Sequence, residues 1–408
     1  MKFSKYYFIF TFCFSLLGSF FSFSQCNLIK NPSFEQKSAC PTSYNQIYLA
    51  NNWASIDSLA NAGNDCNGEY FHTCGNWMTG IPYSTNGMYQ YPKTGNALIG
   101  LILYVDLPNG QQGMYVYRNY AQGRLNQALT SGKNYCFKMW VNLYNISGYA
   151  LDNIQAYFDN GSIDTARCGY PKAIVPQVAN ATGNIIKDTL NWILIKGSFV
   201  ASGTERYVTI GNFFTDAQAQ IQVFNASSGS HNIAYYLIDD VSLFPADLSA
   251  EAGRDTSMCK GDSLYIGRPP EIGLDNIWKE MHSGTQIGVG AGIWIKPDTS
   301  ATYIVTQDLC GTITIDSIRV VVNCLGVAQY NMNNIVNIYP NPANEILNIE
   351  SKTQNGELRI VDVLGKEIFK EIFFGKKQIQ ISNLNEGIYF INIKTTEGTI
   401  AKKIIITH

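Results

Sequence analysis

Aromatic side chains crowd one irregular, Gly- and Asn-rich stretch in the first third of the chain. Sugar rings stack their C–H faces on aromatic planes, while Asn, Asp and backbone groups bind the hydroxyls. We therefore name Trp53, Trp77 and Tyr89 as candidate glycan-binding residues. The alternative is that these side chains pack the loops that carry them. The aromatic residues of this stretch include Trp53, Tyr70, Phe71, Trp77, Tyr83, Tyr89 and Tyr91.

The sequence lacks the spacings of known catalytic and nucleotide-binding motifs. It has four His residues and no His-Glu-x-x-His, Gly-x-Ser-x-Gly or P-loop pattern. The Gly288-x-Gly290-x-Gly292 run opens no predicted helix, so it indicates a turn rather than a phosphate site. Acidic residues are numerous, but no pair has the context of glycosidase acids. We assign no catalytic residue and expect a protein that is not an enzyme.

The composition predicts an all-β fold. Charged residues make up 15% of the 408 residues, whereas the chain has 25 Tyr, 21 Phe and 35 Gly. Short aromatic and β-branched runs bounded by Gly, Asn or Ser are typical of strands, as in residues 134–141, 192–200 and 206–210. A net charge of −2 gives no reason to expect nucleic acid as a partner.

The N-terminus has the pattern of a secretory signal peptide. Lys2 and Lys5 precede an apolar run over residues 6–23, and small residues stand near its end at Ser22 and Ser24. We predict a signal peptide over residues 1–24. Two alternatives are an uncleaved anchor and a lipoprotein whose lipid-bearing residue is Cys26.

Nine cysteines remain after the predicted signal peptide, in a compartment where disulfides persist. Spacing cannot fix their connectivity. Pairing sequence neighbours predicts four disulfides and leaves Cys324 over. Cys66, His72 and Cys74 also have a spacing compatible with zinc, although a disulfide with His72 exposed is the preferred interpretation. The four predicted pairs are Cys26–Cys40, Cys66–Cys74, Cys136–Cys168 and Cys259–Cys310.

Residues 25–247 resemble galactose-binding-like jelly rolls, which include several carbohydrate-binding modules. The resemblance rests on the opening phrase from Asn27 to Glu35 and on the closing phrase from Tyr235 to Leu243, which contains Asp239-Asp240-Val241. It implies that the first strand lies beside the last. It also implies a structural calcium ion between them, with Glu35 and Asp239 as ligands and Asp240 as a substitute. The alternative is that these acids cap turns or pair with Lys.

Residues 248–324 look like an immunoglobulin-like or PKD-like module, with Trp278 in mid-domain. Such modules usually serve as spacers. Tyr303 stands seven residues before Cys310, which departs from the pattern of antibody domains. A polar linker is predicted over residues 325–334.

Residues 335–408 resemble the C-terminal sorting domain of type IX secretion substrates of the Bacteroidota. The motif residues are Pro340, Asn341, Pro342, Gly365 and Gly387, in a small β-sandwich without cysteine. The resemblance implies recognition by the type IX secretion machinery and removal by its sortase-like peptidase. It further implies a cargo that is linked to surface lipopolysaccharide or released.

The sequence therefore predicts a secreted or cell-surface binding or adhesion protein whose jelly roll binds a glycan. The alternatives are a secreted carbohydrate-active hydrolase and a structural surface protein without a small-molecule site.

Overall fold

The structure, a computed structural model, describes nine segments of the chain. The predicted signal peptide, the whole predicted linker, and Cys66, Cys168 and Cys324 lie outside them. In the described residues, no helix has the length and apolar character needed to cross a membrane. The described segments are residues 26–56, 67–84, 89–106, 118–163, 174–225, 232–323, 336–351, 356–395 and 398–408.

The prediction of an all-β fold is confirmed. One 3₁₀ helix, Ile47–Leu49, accompanies 26 strands in the described residues. These residues form two compact units, one ending at Val322 and the other beginning at Asn323. The first unit contains two packed β modules, and the second unit is the C-terminal domain.

The first module is a sandwich of two five-stranded antiparallel sheets. Once the strands are numbered along the chain, the first sheet has the order β1-β4-β10-β7-β8 and the second sheet has the order β2-β3-β12-β5-β9, with β6 and β11 as a separate pair. The strands are β1 (Trp53–Ser55), β2 (Glu69–His72), β3 (Ala97–Val105), β4 (Ala121–Arg124), β5 (Asn134–Leu143), β6 (Tyr149–Leu151), β7 (Gln155–Asp159), β8 (Val178–Ala179), β9 (Ile193–Val200), β10 (Tyr207–Gly211), β11 (Ile221–Val223) and β12 (Ile233–Pro245).

Alternation along β5 separates the core from the outer face of the second sheet. Every second residue from Tyr135 to Leu143 points into the core between the two sheets, as expected from the two-residue period of a strand. The intervening Cys136 and Lys138 point outward, and both are buried. The outer face of this sheet is therefore covered by other parts of the chain.

The opening segment of the module runs beside the end of β12, as the resemblance implied. Leu28 N–H donates to Leu243 O at 2.9 Å, and Val241 N–H donates to Pro32 O at 2.8 Å. The Asn27 side chain accepts from Leu243 N–H at 3.0 Å. The first and last segments are thus joined by hydrogen bonds although more than 200 residues separate them.

The second module covers one end of this outer face. Its seven strands form a five-stranded sheet of order β13-β19-β18-β15-β16 and a β14–β17 pair. Trp278 is fully buried in its core and donates its indole N–H to Gly290 O at 3.0 Å. The strands are β13 (Thr256–Met258), β14 (Leu264–Gly267), β15 (Ile277–Glu280), β16 (Gln286–Val289), β17 (Gly292–Ile295), β18 (Ala301–Leu309) and β19 (Thr312–Val322).

Disulfides connect residues that are far apart in the sequence. Cys40 bonds Cys74, and Cys136 on β5 bonds Cys310 in the turn between β18 and β19. Cys259 is also disulfide-bonded.

All four predicted neighbour pairings are therefore wrong. The physical reason is that folding brings together cysteines that are distant in the sequence, whereas the prediction paired cysteines that are neighbours in the sequence. Cys26 lies at the contact between the modules, with its sulfur 3.6 Å from an Arg268 guanidinium nitrogen. Burial is the main cause that raises the pKa of its thiol.

The C-terminal domain is a small antiparallel sandwich with its own core. One sheet has the order β20-β21-β24 and the other the order β23-β22-β25-β26. Ile and Leu side chains that alternate along the strands fill the space between the sheets. The strands are β20 (Val336–Tyr339), β21 (Ile346–Ser351), β22 (Gly356–Val361), β23 (Glu367–Phe373), β24 (Lys376–Gln380), β25 (Gly387–Thr395) and β26 (Gly398–Ile406).

The predicted sorting-motif residues occupy turns and strand ends of this sandwich. Asn341, between Pro340 and Pro342, donates through its side chain to Lys403 O and accepts from Ile405 N–H, both at 2.9 Å. Gly365 lies at φ 82° in the turn after β22, and Gly387 begins β25 at φ 155°. These positions hold β26 and shape the turns.

Candidate functional site

The free end of the second sheet's outer face carries a second apolar cluster. Tyr235 and Leu237 of β12 point to this face, where they pack with Phe71 of β2 and Leu98 of β3. Ile81, from the loop after β2, also packs in the cluster. The loop that the sequence marked as irregular thus lies against the sheet instead of extending from it.

A cavity of about 190 Å³ opens within this cluster. Glu69 of β2 stands in its wall and accepts a hydrogen bond from the Tyr235 hydroxyl at 2.8 Å. Burial, reinforced by the negative charge of Glu69, raises the pKa of the Tyr235 phenol well above its ordinary value. Burial also raises the pKa of Tyr144, so both phenols stay protonated and can donate. The residues lining the cavity are Tyr44, Glu69, Phe71, Ser84, Ile102, Tyr144, Ile233 and Tyr235.

Three tyrosines form an exposed ridge beside this cavity. Tyr83, Tyr89 and Tyr91 are 69%, 41% and 59% exposed. The ring centroid of Tyr89 lies 5.1 Å from that of Tyr83 and 6.0 Å from that of Tyr91. We refer to these three residues as the tyrosine ridge. Its rings support one another while leaving their outer surfaces open to solvent.

Side chains beside the sheet hold the backbone of the tyrosine ridge through hydrogen bonds. Trp192 donates its indole N–H to Tyr91 O at 3.1 Å, and Tyr89 N–H donates to the Asn145 side chain at 3.3 Å. The ridge adjoins the cavity at two points. Tyr83 is followed by Ser84, and Asn145 is preceded by Tyr144, and both of those neighbours line the cavity.

The three residues predicted from the sequence to bind a glycan lie in different parts of the first module. Trp53 does not fit that role, because it is 3% exposed and lies in the core between the sheets. Its indole N–H donates to Asn31 O at 3.0 Å. Trp77 is 65% exposed on the loop that the Cys40–Cys74 disulfide anchors, and Tyr89 belongs to the ridge.

Sequence reasoning missed Glu69, Tyr144 and Tyr235. A signal for Glu69 was present, because it is an acid directly before Tyr70 and Phe71 in a strand whose four residues are all buried. His72, expected to be exposed, is also buried in this strand. Its Nδ1 accepts from Cys74 N–H at 2.9 Å.

The three predicted calcium ligands meet at one loop, residues 93–96. Glu35 accepts from Asn96 N–H at 2.6 Å, and Asp240 accepts from the Thr94 hydroxyl at 2.6 Å. A side chain at Gly95, which has φ 65°, would place its Cβ 2.3 Å from a Glu35 oxygen. The positive φ and the close approach of the Glu35 carboxylate both favour glycine at this position.

Asp239 and Asp240 stand at an irregularity in β12, where the register with β5 shifts. Asp239 is fully buried and accepts backbone N–H groups of Lys93 at 2.8 Å and Asp240 at 2.7 Å. Burial raises the pKa of both carboxyls, that of Asp240 to about 6, and the charge of Asp240 adds to the shift at Asp239. Buried carboxylates of this kind are stabilised by a cation.

Side chains alone do not complete a metal site here. In the segments that the structure describes, no group of three or more His, Cys, Asp or Glu side chains could hold a metal ion. Calcium also accepts backbone carbonyl ligands. Asp239 accepts backbone N–H groups with both of its carboxylate oxygens, whereas Glu35 accepts a backbone N–H with one oxygen. Glu35 and Asp240 are therefore the carboxylates that would hold such an ion.

Comparison with solved structures finds weak likenesses that span about half of this chain. The K2 cleaved adhesin domain of Lys-gingipain has 12% identity and a TM-score of 0.28, covering 52% of this chain and 95% of that chain. The K1 domain from Porphyromonas gingivalis W83 has 15% identity and a TM-score of 0.27, covering 52% and 94%. The CBM22-1 xylan-binding domain of Paenibacillus barcinonensis Xyn10C has 12% identity and a TM-score of 0.25, covering 51% and 97%. These scores are too low for the likeness to carry a conclusion about ligands.

The C-terminal domain gives a specific match. Residues 337–407 match the family model described as "Secretion system C-terminal sorting domain". These residues are a sorting domain. The protein is therefore exported by type IX secretion to the cell surface or the extracellular space, and its sorting domain is removed. No curated protein sequence matches the chain.

Proposed function

We propose that this exported protein is a binding or adhesion protein whose first module binds a glycan at the tyrosine ridge. The observation that carries the proposal is the contact among the three exposed rings of Tyr83, Tyr89 and Tyr91 beside a cavity with polar groups. Exposed aromatic planes provide stacking surfaces for sugar rings, and nearby polar groups give specificity.

The tyrosine ridge is largely ordered before a ligand binds, so binding should cost little conformational entropy. Trp192 and Asn145 hold its backbone, and the rings already contact one another. Tyrosine loses little conformational entropy when it becomes fixed, so most of the stacking energy remains for binding.

Glycan-array screening followed by calorimetry on the full chain tests this proposal. In the variant Tyr83→Ala/Tyr91→Ala we expect affinity for the array hit to fall about tenfold or more, with an unchanged melting temperature. Trp294→Ala is the matched control, because Trp294 is 71% exposed on the second module. Glycan binding that survives the double substitution would refute the ridge as the site. An equal loss in the control would indicate nonspecific stacking.

We further propose that calcium binds between Glu35 and Asp240 and links the opening segment to β12. The convergence of the two carboxylates on the loop of residues 93–96 and the burial of Asp240 support this site. When bound, the ion would supply positive charge to these acids and stabilise the fold. A melting temperature that is the same with calcium and with a chelator would contradict the site.

The second module is proposed to act as an immunoglobulin-like or PKD-like support for the first module. Its contacts favour a fixed support over a flexible spacer. Lys138 of β5 is buried at the contact, and its ammonium donates to Gly273 O at 3.0 Å in addition to the nearby Cys136–Cys310 disulfide.

A further inference from the structure

The cavity beside the tyrosine ridge offers mainly apolar surface. Its lining includes Phe71, Ile102 and Ile233 and the rings of Tyr144 and Tyr235. The centroids of the two tyrosine rings are 5.2 Å apart, with their planes inclined at 60°. Such walls stabilise a methyl group that leaves water, whereas a sugar hydroxyl placed among them would lose its hydrogen bonds to water. The lining therefore favours an apolar substituent over a hydroxyl group.

Tyr235 presents its ring, rather than its hydroxyl, to a ligand. The Tyr235 hydroxyl donates to a Glu69 oxygen at 2.8 Å, and both residues are buried. A hydroxyl has one proton to donate, and this contact already uses that proton. These two polar groups thus bind each other, which leaves aromatic and aliphatic surfaces as the main contacts inside the cavity.

The entrance of the cavity lies next to the tyrosine ridge. Ser84 lines the cavity and directly follows Tyr83 of the ridge. Ser84, Ile102 and Ile233 are half-buried, whereas Phe71 is buried. The half-buried residues therefore mark the side of the cavity that faces solvent. A serine hydroxyl both donates and accepts hydrogen bonds, so Ser84 can bind an amide group at this entrance.

The size of the cavity limits what can enter it. Its volume of about 190 Å³ is below the roughly 300–1,000 Å³ of pockets that enclose a whole small molecule. It therefore has room for one substituent, while the rest of the ligand stays outside on the adjoining tyrosine ridge. An acetamido group matches both parts of the cavity, because its methyl group suits the apolar interior and its amide suits the polar entrance.

We propose that this cavity binds the acetyl group of an N-acetylated amino sugar. The inference rests on the proposed glycan-binding function and names the class of sugar. The sugar ring lies on the tyrosine ridge, its acetyl methyl group enters the cavity, and its amide stays at the entrance beside Ser84. A sugar with a hydroxyl group in place of the acetamido group leaves the cavity unfilled, so it binds more weakly.

Calorimetry on the full chain with matched ligands tests this inference. Triacetylchitotriose and cellotriose differ only in bearing acetamido or hydroxyl groups, and the methyl glycosides of N-acetylgalactosamine and galactose repeat the comparison for galactose-type sugars. In a pair that binds, we expect the acetamido sugar to bind about five- to tenfold tighter. A hydroxyl counterpart that binds equally or more tightly in both pairs would overturn the inference.

Ligand-observed NMR of the same mixtures gives an independent readout. Saturation transferred from the protein should be strongest on the acetyl methyl protons, because these are the ligand atoms inside the cavity. Strong transfer to the ring protons with weak transfer to the methyl protons would place the sugar on the tyrosine ridge alone and would contradict the inference.

The variant Ile233→Phe is the matched test of the cavity. It enlarges a half-buried side chain of the lining and leaves the three ridge tyrosines in place, and a melting temperature close to that of the wild type confirms folding. We expect the preference for the acetamido sugar to fall to about unity, because the space for the acetyl group is filled. Binding of the hydroxyl counterpart on the ridge should persist.

Two further variants complete this test. Ile315→Phe makes the same change at a position of the second module that is 66% exposed, and it should keep the preference. Ser84→Leu fills the entrance from the loop and takes the place of Ile233→Phe if that variant does not fold. An unchanged preference in a folded variant with a filled cavity would refute the role of the cavity.

The outcomes separate this inference from the proposed function. Equal binding of triacetylchitotriose and cellotriose retains the glycan function and rejects the acetyl site. Absence of binding to every glycan of the array rejects the proposed function and the inference with it. Tighter binding of methyl fucoside than of either acetamido sugar, abolished by Ile233→Phe, would assign the cavity to the methyl group of a deoxy sugar and overturn the inference as stated.

Discussion

Cys136 and Cys310 form a disulfide between the two modules of the first compact unit, 174 residues apart in the sequence. Cys136 points outward from β5 into a small apolar contact with Phe244, Leu274 and Leu309. The bond therefore closes an interface that is already packed, and it fixes the second module on the outer face of the second sheet.

Removal of this disulfide should destabilise the first unit. The entropy of the closed loop predicts a loss of about 5 kcal/mol for Cys136→Ala/Cys310→Ala. The 34-residue separation of Cys40 and Cys74 predicts about 4 kcal/mol for the matched double variant.

Denaturant unfolding of the full chain, followed by the fluorescence of buried Trp278, measures the difference. We expect separate unfolding of the second module only when the Cys136–Cys310 bond is removed, because this bond joins the modules. A single coincident transition in that variant would show that noncovalent contacts are enough to couple them.

Stability should depend on pH through Asp240 when calcium is absent. Burial raises the pKa of this carboxyl from 3.8 to about 6. The folded state therefore binds the proton more tightly than the unfolded chain. The free energy of unfolding should fall as pH rises through this window, by about 3 kcal/mol in total.

Chemical denaturation in a chelator at several pH values checks this dependence. Asp240→Asn should flatten the slope, leaving the part that belongs to Asp239. Calcium should remove or reverse the slope, because a bound cation favours the ionised carboxylate. The same slope with and without calcium would count against the proposed ion.

Truncation of Trp53 should destabilise the protein strongly, whereas truncation of Trp77 should leave its stability almost unchanged. Trp53→Ala leaves a cavity in the core and should cost roughly 3–5 kcal/mol of unfolding free energy. Trp77→Ala removes a ring that is 65% exposed and should change stability by about 0.5 kcal/mol or less. Equilibrium unfolding of both variants measures this, and equal costs would contradict the assigned burial.

Asn341 should protect the edge strand of the sorting domain. Its side chain makes two hydrogen bonds to β26, so Asn341→Ala should cost about 1–2 kcal/mol locally. Hydrogen exchange of peptides covering 398–408 in the full chain should then quicken by about 5–30-fold. Gln380→Ala, on an exposed position of β24, is the control. Exchange that is equally slow in both variants would show that the side chain does not hold the strand.

The sequence predicted those features that depend on local patterns. Strands such as β5 follow from their aromatic and β-branched runs, and the sorting domain follows from the Pro340 to Pro342 phrase and its glycines. Glu35, Asp239 and Asp240 meet at the loop of residues 93–96, and the prediction that they bind calcium depends on a resemblance that brings the two ends of the module together.

The features that sequence could not predict depend on packing between distant strands. Trp53 and Tyr89 have similar surroundings in the sequence, yet one lies between two sheets and the other on the outer face. The disulfide partner of Cys136 belongs to another module, so pairing cysteines by their proximity in the sequence predicts the wrong partner. Glu69 accepts a hydrogen bond from Tyr235, which is 166 residues away in the sequence.

The covalent link between β5 and the β18–β19 turn also determines how a pulling force travels through the molecule. A surface binder is loaded between its ligand and its point of attachment. Load that enters the second module at β19 reaches Cys310 and crosses directly to β5, so the backbone of the short connection after Pro245 does not carry it alone. Such a protein resists mechanical separation of its modules for as long as the bond stays oxidised.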